Sequence, residues 1–253
     1  MSNRFVTLAC LLLPALASAG KKVSLFNGHS LAGWHTQGDC QWAVVDSAIR
    51  GVDPNGNWCH LVTDSSYTDL IVTLDYKPVR GNSGLYVRTG KENSGCCGIE
   101  GTQIDFGPSQ DGSVMWVRDG EWHWYELITT APTQGWVDYT KWNALRVEVQ
   151  GTGIKTFVNG HAVYATANAD KMFAAGTLAL QLHSGGKGDT ILFRNLVAEV
   201  PIPVSIGRPT SDLRPVSSES AADALGRLIG PVSASREQVR PAGAAFSLFP
   251  HTH

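Results

Sequence analysis

Between residues 23 and 200 the chain is a succession of short runs rich in β-branched and aromatic residues, interrupted by Gly, Asn and Asp. Its apolar residues almost nowhere fall at helical spacing, so the pattern predicts an all-β domain. The clearest strands are expected at 70–76, 83–88, 102–106, 144–150, 154–158, 176–183 and 190–200. Asn159-Gly160, directly after Thr156-Phe157-Val158, is a hairpin turn, because both central residues tolerate positive φ. Gly151-Thr152-Gly153 marks the turn before it. Many short strands in one domain cover their apolar faces best as two packed antiparallel sheets, and a jelly-roll sandwich is the natural arrangement. One concave face of such a sandwich commonly carries ligand. Its side chains come from every second strand position, so parity along each strand tests which residues can meet.

The two ends read differently. Arg4 precedes an apolar run at 5–16 that closes on Ala17-Ser18-Ala19, the pattern of a signal peptide over 1–19 cut before Gly20. The run is too short to span a bilayer, and Cys10 leaves with it. A lipid-anchor reading of Leu8-Ala9-Cys10 leaves almost no hydrophobic region ahead of the cysteine. The expected location is secreted or periplasmic, with no membrane attachment after cleavage. From 201 to 253 prolines are scattered among Ser, Ala and Gly, which predicts a disordered tail with at most one short helix at 220–229.

Lys and Arg total 20 against 22 Asp and Glu, so no basic footprint for nucleic acid or anionic lipid exists and a neutral small molecule is the expected partner. Trp58, Trp116, Trp122 and Trp124, read as loop residues, can stack on sugar rings or simply fill core. Four cysteines remain after processing. In an oxidising compartment the plainest pairing joins Cys40 to Cys59 and leaves adjacent Cys96 and Cys97 as a vicinal bridge or as thiols. A metal site finds no Cys-x-x-Cys spacing or neighbouring His pattern to support it.

Several motifs then occur in order: Ser24-Leu25-Phe26-Asn27-Gly28, Leu31-Ala32-Gly33-Trp34, Gly81-Asn82-Ser83-Gly84-Leu85-Tyr86-Val87-Arg88 and Gly101-Thr102-Gln103-Ile104-Asp105-Phe106-Gly107. Trp142-Asn143, Phe157-Val158-Asn159-Gly160, Leu180-Gln181-Leu182-His183 and Phe193-Arg194-Asn195-Leu196 follow. Together they resemble the 3-keto-disaccharide hydrolase family over nearly all of the domain at 20–200. The resemblance implies a concanavalin-like jelly roll and cleavage of 3-keto-glycosides by C2 deprotonation, elimination and hydration. No cofactor is expected; Asp105 and His183 are competent ligands for a divalent metal as an alternative stabiliser of the enolate, but two such ligands do not define a site. Many relatives carry Glu two residues before the Gln of the central strand. Here that position is Gly101 and Glu100 sits one step off, so Asp105 becomes the acidic candidate.

Arg88, Gln103, Asp105, Gln181 and His183 are polar residues in strands that otherwise alternate apolar side chains, which is costly unless they pair or line a wet cleft. By parity Tyr86 goes with Arg88, Gln103 with Asp105, and Gln181 with His183. The catalytic expectation gives His183 or Asp105 the base role, with the two exchangeable, and Arg88 the enolate at O3. Gln103 and Gln181 orient hydroxyls, and Tyr86 and Trp116 complete the substrate set. Each has a plainer alternative: Arg88 neutralising Asp105, the glutamines holding strands, His183 satisfied structurally. The rival functions are a non-catalytic carbohydrate-binding module, glycoside hydrolysis by two carboxylates, and an adhesion module.

Overall fold

The computed structural model describes residues 20–201 except 95–96, 108–109, 130, 132–133 and 184–186. The predicted leader at 1–19, the tail beyond Pro201 with its helix at 220–229, and Cys96 lie outside the described residues. Two antiparallel sheets form the domain. Numbered along the chain, the eight-stranded sheet runs β15 (His161–Thr166), β14 (Gly153–Val158), β13 (Asn143–Gln150), β6 (Leu70–Arg80), β17 (Asp189–Val200), β4 (Ala48–Asp53) and β3 (Gln41–Val45). β1 (Lys21–Ser24) pairs with the end of β17. The seven-stranded sheet runs β12 (Glu121–Glu126), β11 (Val114–Arg118), β10 (Gly101–Phe106), β7 (Ser83–Thr89), β16 (Gly176–Leu182), β5 (Cys59–Tyr67) and β2 (Trp34–Gln37). A separate ribbon pairs β8 (Glu92–Ser94) with β9 (Gly98–Ile99). This is the expected concanavalin-like jelly-roll sandwich. No helix among the described residues is long and apolar enough to cross a membrane.

Period-two patterning builds the space between the sheets. Leu70, Val72, Leu74 and Tyr76 of β6 are buried while the residues between them are half-exposed, and β13 repeats this with Leu145, Val147 and Val149. Ile104, Phe106, Leu85, Val87, Leu178 and Leu180 meet them from the other sheet. Each such side chain contributes about 1.5–3 kcal/mol relative to exposure. On β17 the inward phase shifts from Phe193 to Leu196 at an irregularity where Asn195 takes φ 54°, so one long strand feeds the core on both sides of a bulge.

The seven-stranded sheet is covered on its outer face as well. Val62, Tyr86, Met115, Val117 and Ala179 form a second apolar cluster with Cys97 and Ile99 from the ribbon segment. That two-sided covering is why every residue of β7 and β10 is buried. Cys40 and Cys59 are bonded, Cα atoms 5.9 Å apart, tying the start of β5 to the segment ahead of β3. The tryptophans expected in loops are otherwise placed: Trp116 lies in β11 and Trp122 and Trp124 in β12, and Trp58 alone of the four is off the strands.

Candidate functional site

One rung of the seven-stranded sheet collects polar side chains from strand after strand on its outer face. Asp105 on β10 is paired with Gly84 on β7. The Leu85 to Leu180 pairing sets Gly84 opposite Gln181 on β16; Gln181 pairs with His60 on β5, and His60 with Gln37 on β2. Asp105, Gly84, Gln181, His60 and Gln37 therefore form a row across five strands. The neighbouring rung on that face is mostly apolar: Gln103, then Tyr86, Ala179 and Val62.

The hydrogen bonds form two groups, one joining Asp105 and Gln181 through Gln103 of the neighbouring rung and one joining His60 to Gln37, with His60 Nε2 buried and without a partner between them. Gln103 Nε2 donates to Gln181 Oε1 at 3.0 Å, and Gln181 Nε2 donates back to Gln103 Oε1 at 3.3 Å. The two amides reach each other across β7 because residue 84 has no side chain: a Cβ there would lie 2.5 Å from Gln103 Nε2. Asp105 Oδ1 accepts from Asn82 Nδ2 at 2.9 Å, and its Oδ2 from Gln103 Nε2 at 3.4 Å. Burial pushes the Asp105 carboxyl well above the ordinary range, the bond from Asn82 opposes this, and the nearby Asp111 charge adds to the rise. His60 Nδ1 lies 2.7 Å from Gln37 Oε1, and burial lowers the imidazole to about 3, so it is neutral. Since Gln37 Oε1 can only accept, Nδ1 carries the proton and Nε2 the lone pair.

The sequence-predicted residues divide in three. Asp105, Gln103 and Gln181 are brought together as described, and Tyr86 lies beside them on the same face. Tyr86 is sealed there, fully buried with its ring edge-to-face with His60 at 5.3 Å. His183, one residue past the end of β16, is half-buried with its ring 4.6 Å from Trp58.

Arg88 and Trp116 are placed elsewhere. Arg88 has φ 50°, which breaks the strand alternation that parity assumed and turns its side chain away from Tyr86. Its guanidinium donates to the carbonyls of Thr68 (2.9 Å), Gly151 (2.6 Å) and Phe173 (3.2 Å) and to Asp69 Oδ1 (2.9 Å), not to Asp105. With four hydrogen bonds made at the strand-end turns, it secures the sandwich. Trp116 points to the opposite side from Met115 and Val117, beside His123 at 4.7 Å and Lys171 Nζ at 5.9 Å. Trp124, paired with Met115, and Trp58 pack against the outer-face cluster instead.

Two groups went unnoticed in the sequence. His60 carries no motif, and its place in the row follows only from the pairing of its strand with Gln181. Asp111 is fully buried between the hydroxyls of Tyr76 and Tyr139, the latter at 2.5 Å, with Gly107 N donating at 3.2 Å. Its burial raises the carboxyl, against the two tyrosine bonds. An inward-phase Tyr76 whose hydroxyl needs a buried acceptor was the available hint. Among the described residues one trio of metal-ligand types falls together, Cys40, Asp53 and Cys59, and its two sulfurs are committed to each other.

A family model described as 3-keto-alpha-glucoside-1,2-lyase-like domain matches residues 21–198. A solved protein from Parabacteroides distasonis, assigned as a glycosyl hydrolase, superposes with TM-score 0.54 at 19% identity, over 72% of this chain and 94% of its own. A carbohydrate-binding module, CBM66 from Bacillus subtilis, gives TM-score 0.52 at 19% identity, over 66% and 95%. The β-glucanase of Bacillus licheniformis gives 0.52 at 12% identity, over 74% and 100%. At these identities the likenesses speak for the fold. No match to a curated protein was found.

Proposed function

The chain belongs to the 3-keto-alpha-glucoside-1,2-lyase-like family, and from that membership we propose that it cleaves 3-keto-glycosides on the outer face of the seven-stranded sheet, acting outside the cytoplasm. The observation that carries this reading is the Asp105 row: a buried carboxyl hydrogen-bonded to two amides, Asn82 and Gln103, in a polar rung beside a mostly apolar one.

A ketone at C3 acidifies the proton at C2. His183 takes that proton, the C1–O bond breaks, and its electron pair leaves with the glycosidic oxygen, which is protonated by Asp105. The raised Asp105 supports the acid assignment, since burial favours the protonated carboxyl, the form that can donate. Water then adds across C1 and C2, hydroxyl to C1 and proton to C2, releasing the 3-keto sugar. Gln103 and Gln181 orient sugar hydroxyls by opening their mutual pair. Arg88 has no part in this scheme, because its guanidinium is spent on Asp69 and three carbonyls.

The likeness in fold to the carbohydrate-binding module CBM66 favours one alternative, a domain that binds glycan without cutting it. Incubating the purified protein with matched glycosides, one oxidised at C3 and one not, while following reducing-sugar release separates the two. Cleavage of the oxidised member alone supports the proposal; binding of both without turnover supports the alternative.

A further inference from the structure

At one end of the sandwich, buried acceptor oxygens outnumber the donors that face them. Asp53 closes β4 and Asp189 opens β17, and the two are directly paired across the strands. Both are buried, at 1% and 4% exposure. Like charges directly opposite one another destabilise a sheet, and buried carboxylates are tolerated only with partners. Here the partners are few. Asp53 Oδ1 accepts the amides of Asn55 (2.9 Å) and Gly56 (2.8 Å), while Oδ2 is buried with no donor.

Asp189 lies over Gly81, where a Cβ would come within 2.1 Å of the carboxyl carbon. Its nearest cation is Arg80 Nε at 4.0 Å, on a side chain that is 66% exposed. The next residue, Asn82, donates its backbone N–H to Asp189 and its Nδ2 to Asp105, and its Oδ1 is buried with no donor. Two carboxyls and two orphaned oxygens thus face one distant, solvated guanidinium, with the His183 imidazole the further group that favours the Asp189 charge.

The geometry points to a divalent cation site formed by Asp53 Oδ2, the Asp189 carboxylate and Asn82 Oδ1, with Ca2+ as its occupant. Donors that are all oxygen, two anionic and one neutral, on loop and strand-end residues match the hard, flexibly coordinated Ca2+. The sulfurs of Cys40 and Cys59, close to Asp53, are withdrawn by their disulfide, which leaves nothing soft for zinc. The site stands independently of the proposed reaction. Its consequence for that reaction is positional: a cation on Oδ1 of Asn82 fixes the amide that holds Asp105.

The test uses the full chain stripped with EGTA and titrated with CaCl2 in a calorimeter without any sugar, alongside its unfolding temperature. One equivalent of Ca2+ should bind, with Kd on the order of 10⁻⁴ M or tighter, and should raise the unfolding temperature. Asp189→Asn and Asp53→Asn should each weaken binding by at least about tenfold, since each removes one of the two charges. If Asp53→Asn does not fold by circular dichroism, Asp189→Asn decides alone. Absence of heat and of any thermal shift, or undiminished affinity in the folded variants, overturns the site.

Discussion

Gln103 and Gln181 hold each other amide to amide, at 3.0 and 3.3 Å, across a strand that lies between them. β7 separates their strands, so the contact exists only because Gly84 leaves its rung empty. The pair also fixes Gln103 Nε2 near Asp105, so one missing side chain organises the polar row.

Gly84→Ala should therefore break the row without removing any functional group. A Cβ 2.5 Å from Gln103 Nε2 forces the amide aside and leaves buried polar groups unpaired, at about 1–3 kcal/mol. Denaturant unfolding should show that loss, and calorimetry with a glycoside should show weakened binding. An unchanged midpoint and unchanged affinity would refute the bridging role.

Arg88→Met should cost stability and leave chemistry intact. The side chain is 3% exposed and its Asp69 partner 35%, so solvent screening brings the loss below the roughly 3–5 kcal/mol of fully buried pairs, to about 2–3 kcal/mol. At a temperature where the variant is folded, kcat on a 3-keto-glucoside should stay within about threefold of wild type. A much larger fall in kcat with normal stability would return Arg88 to the mechanism.

How far these roles could be read in advance depended on whether strand alternation held. It held for Gln103 and Asp105 on β10, for Gln181 on β16 and for the inward residues of β6 and β13, because those segments are regular. It failed at Arg88, where a positive φ rotates the side chain, and at Asn195, where a bulge resets the phase. Trp116 was misplaced for another reason: composition marks an aromatic as useful without saying which side of its strand it occupies. The row itself was hidden because register between strands distant in sequence, such as Gln181 with His60, is set by tertiary pairing and leaves no local pattern. The Cys40 to Cys59 bond was legible because the other pair of cysteines was adjacent.

Stability should depend on pH from both sides. The folded state holds His60 at about 3 against an ordinary 6.5, so the unfolded chain binds the extra proton first. That contribution is fully present above 6.5 and is lost as pH falls toward 3, by on the order of 5 kcal/mol at most. Asp105 works in the opposite sense: its folded value is raised, so its contribution is fully present below the ordinary carboxylate range and is lost as pH rises through the raised value. Unfolding curves measured across pH should show stability falling as pH rises above the ordinary carboxylate range in His60→Gln, and falling as pH drops below 6.5 in Asp105→Asn. The two contributions oppose each other between the ordinary carboxylate range and 6.5 and largely cancel in the wild type, so a variant whose profile keeps the wild-type shape would contradict the assignment it removes.

Opening the Cys40 to Cys59 bond should lower stability by about 2–4 kcal/mol, because it closes a loop between residues 19 apart. Thermal unfolding with and without reductant measures this, with Cys40→Ser as the control that reductant should no longer affect. No difference between the oxidised and reduced protein would mean the bridge contributes nothing to the fold.

The account rests most heavily on Asp105, and turnover of a 3-keto-glucoside by Asp105→Asn tests it most directly. Asn preserves the shape and the contact with Asn82 while removing the transferable proton. Loss of a positioned proton donor should lower kcat by about 10²–10⁴-fold, with the circular dichroism spectrum unchanged. Turnover within a few-fold of wild type in a folded variant would contradict the account.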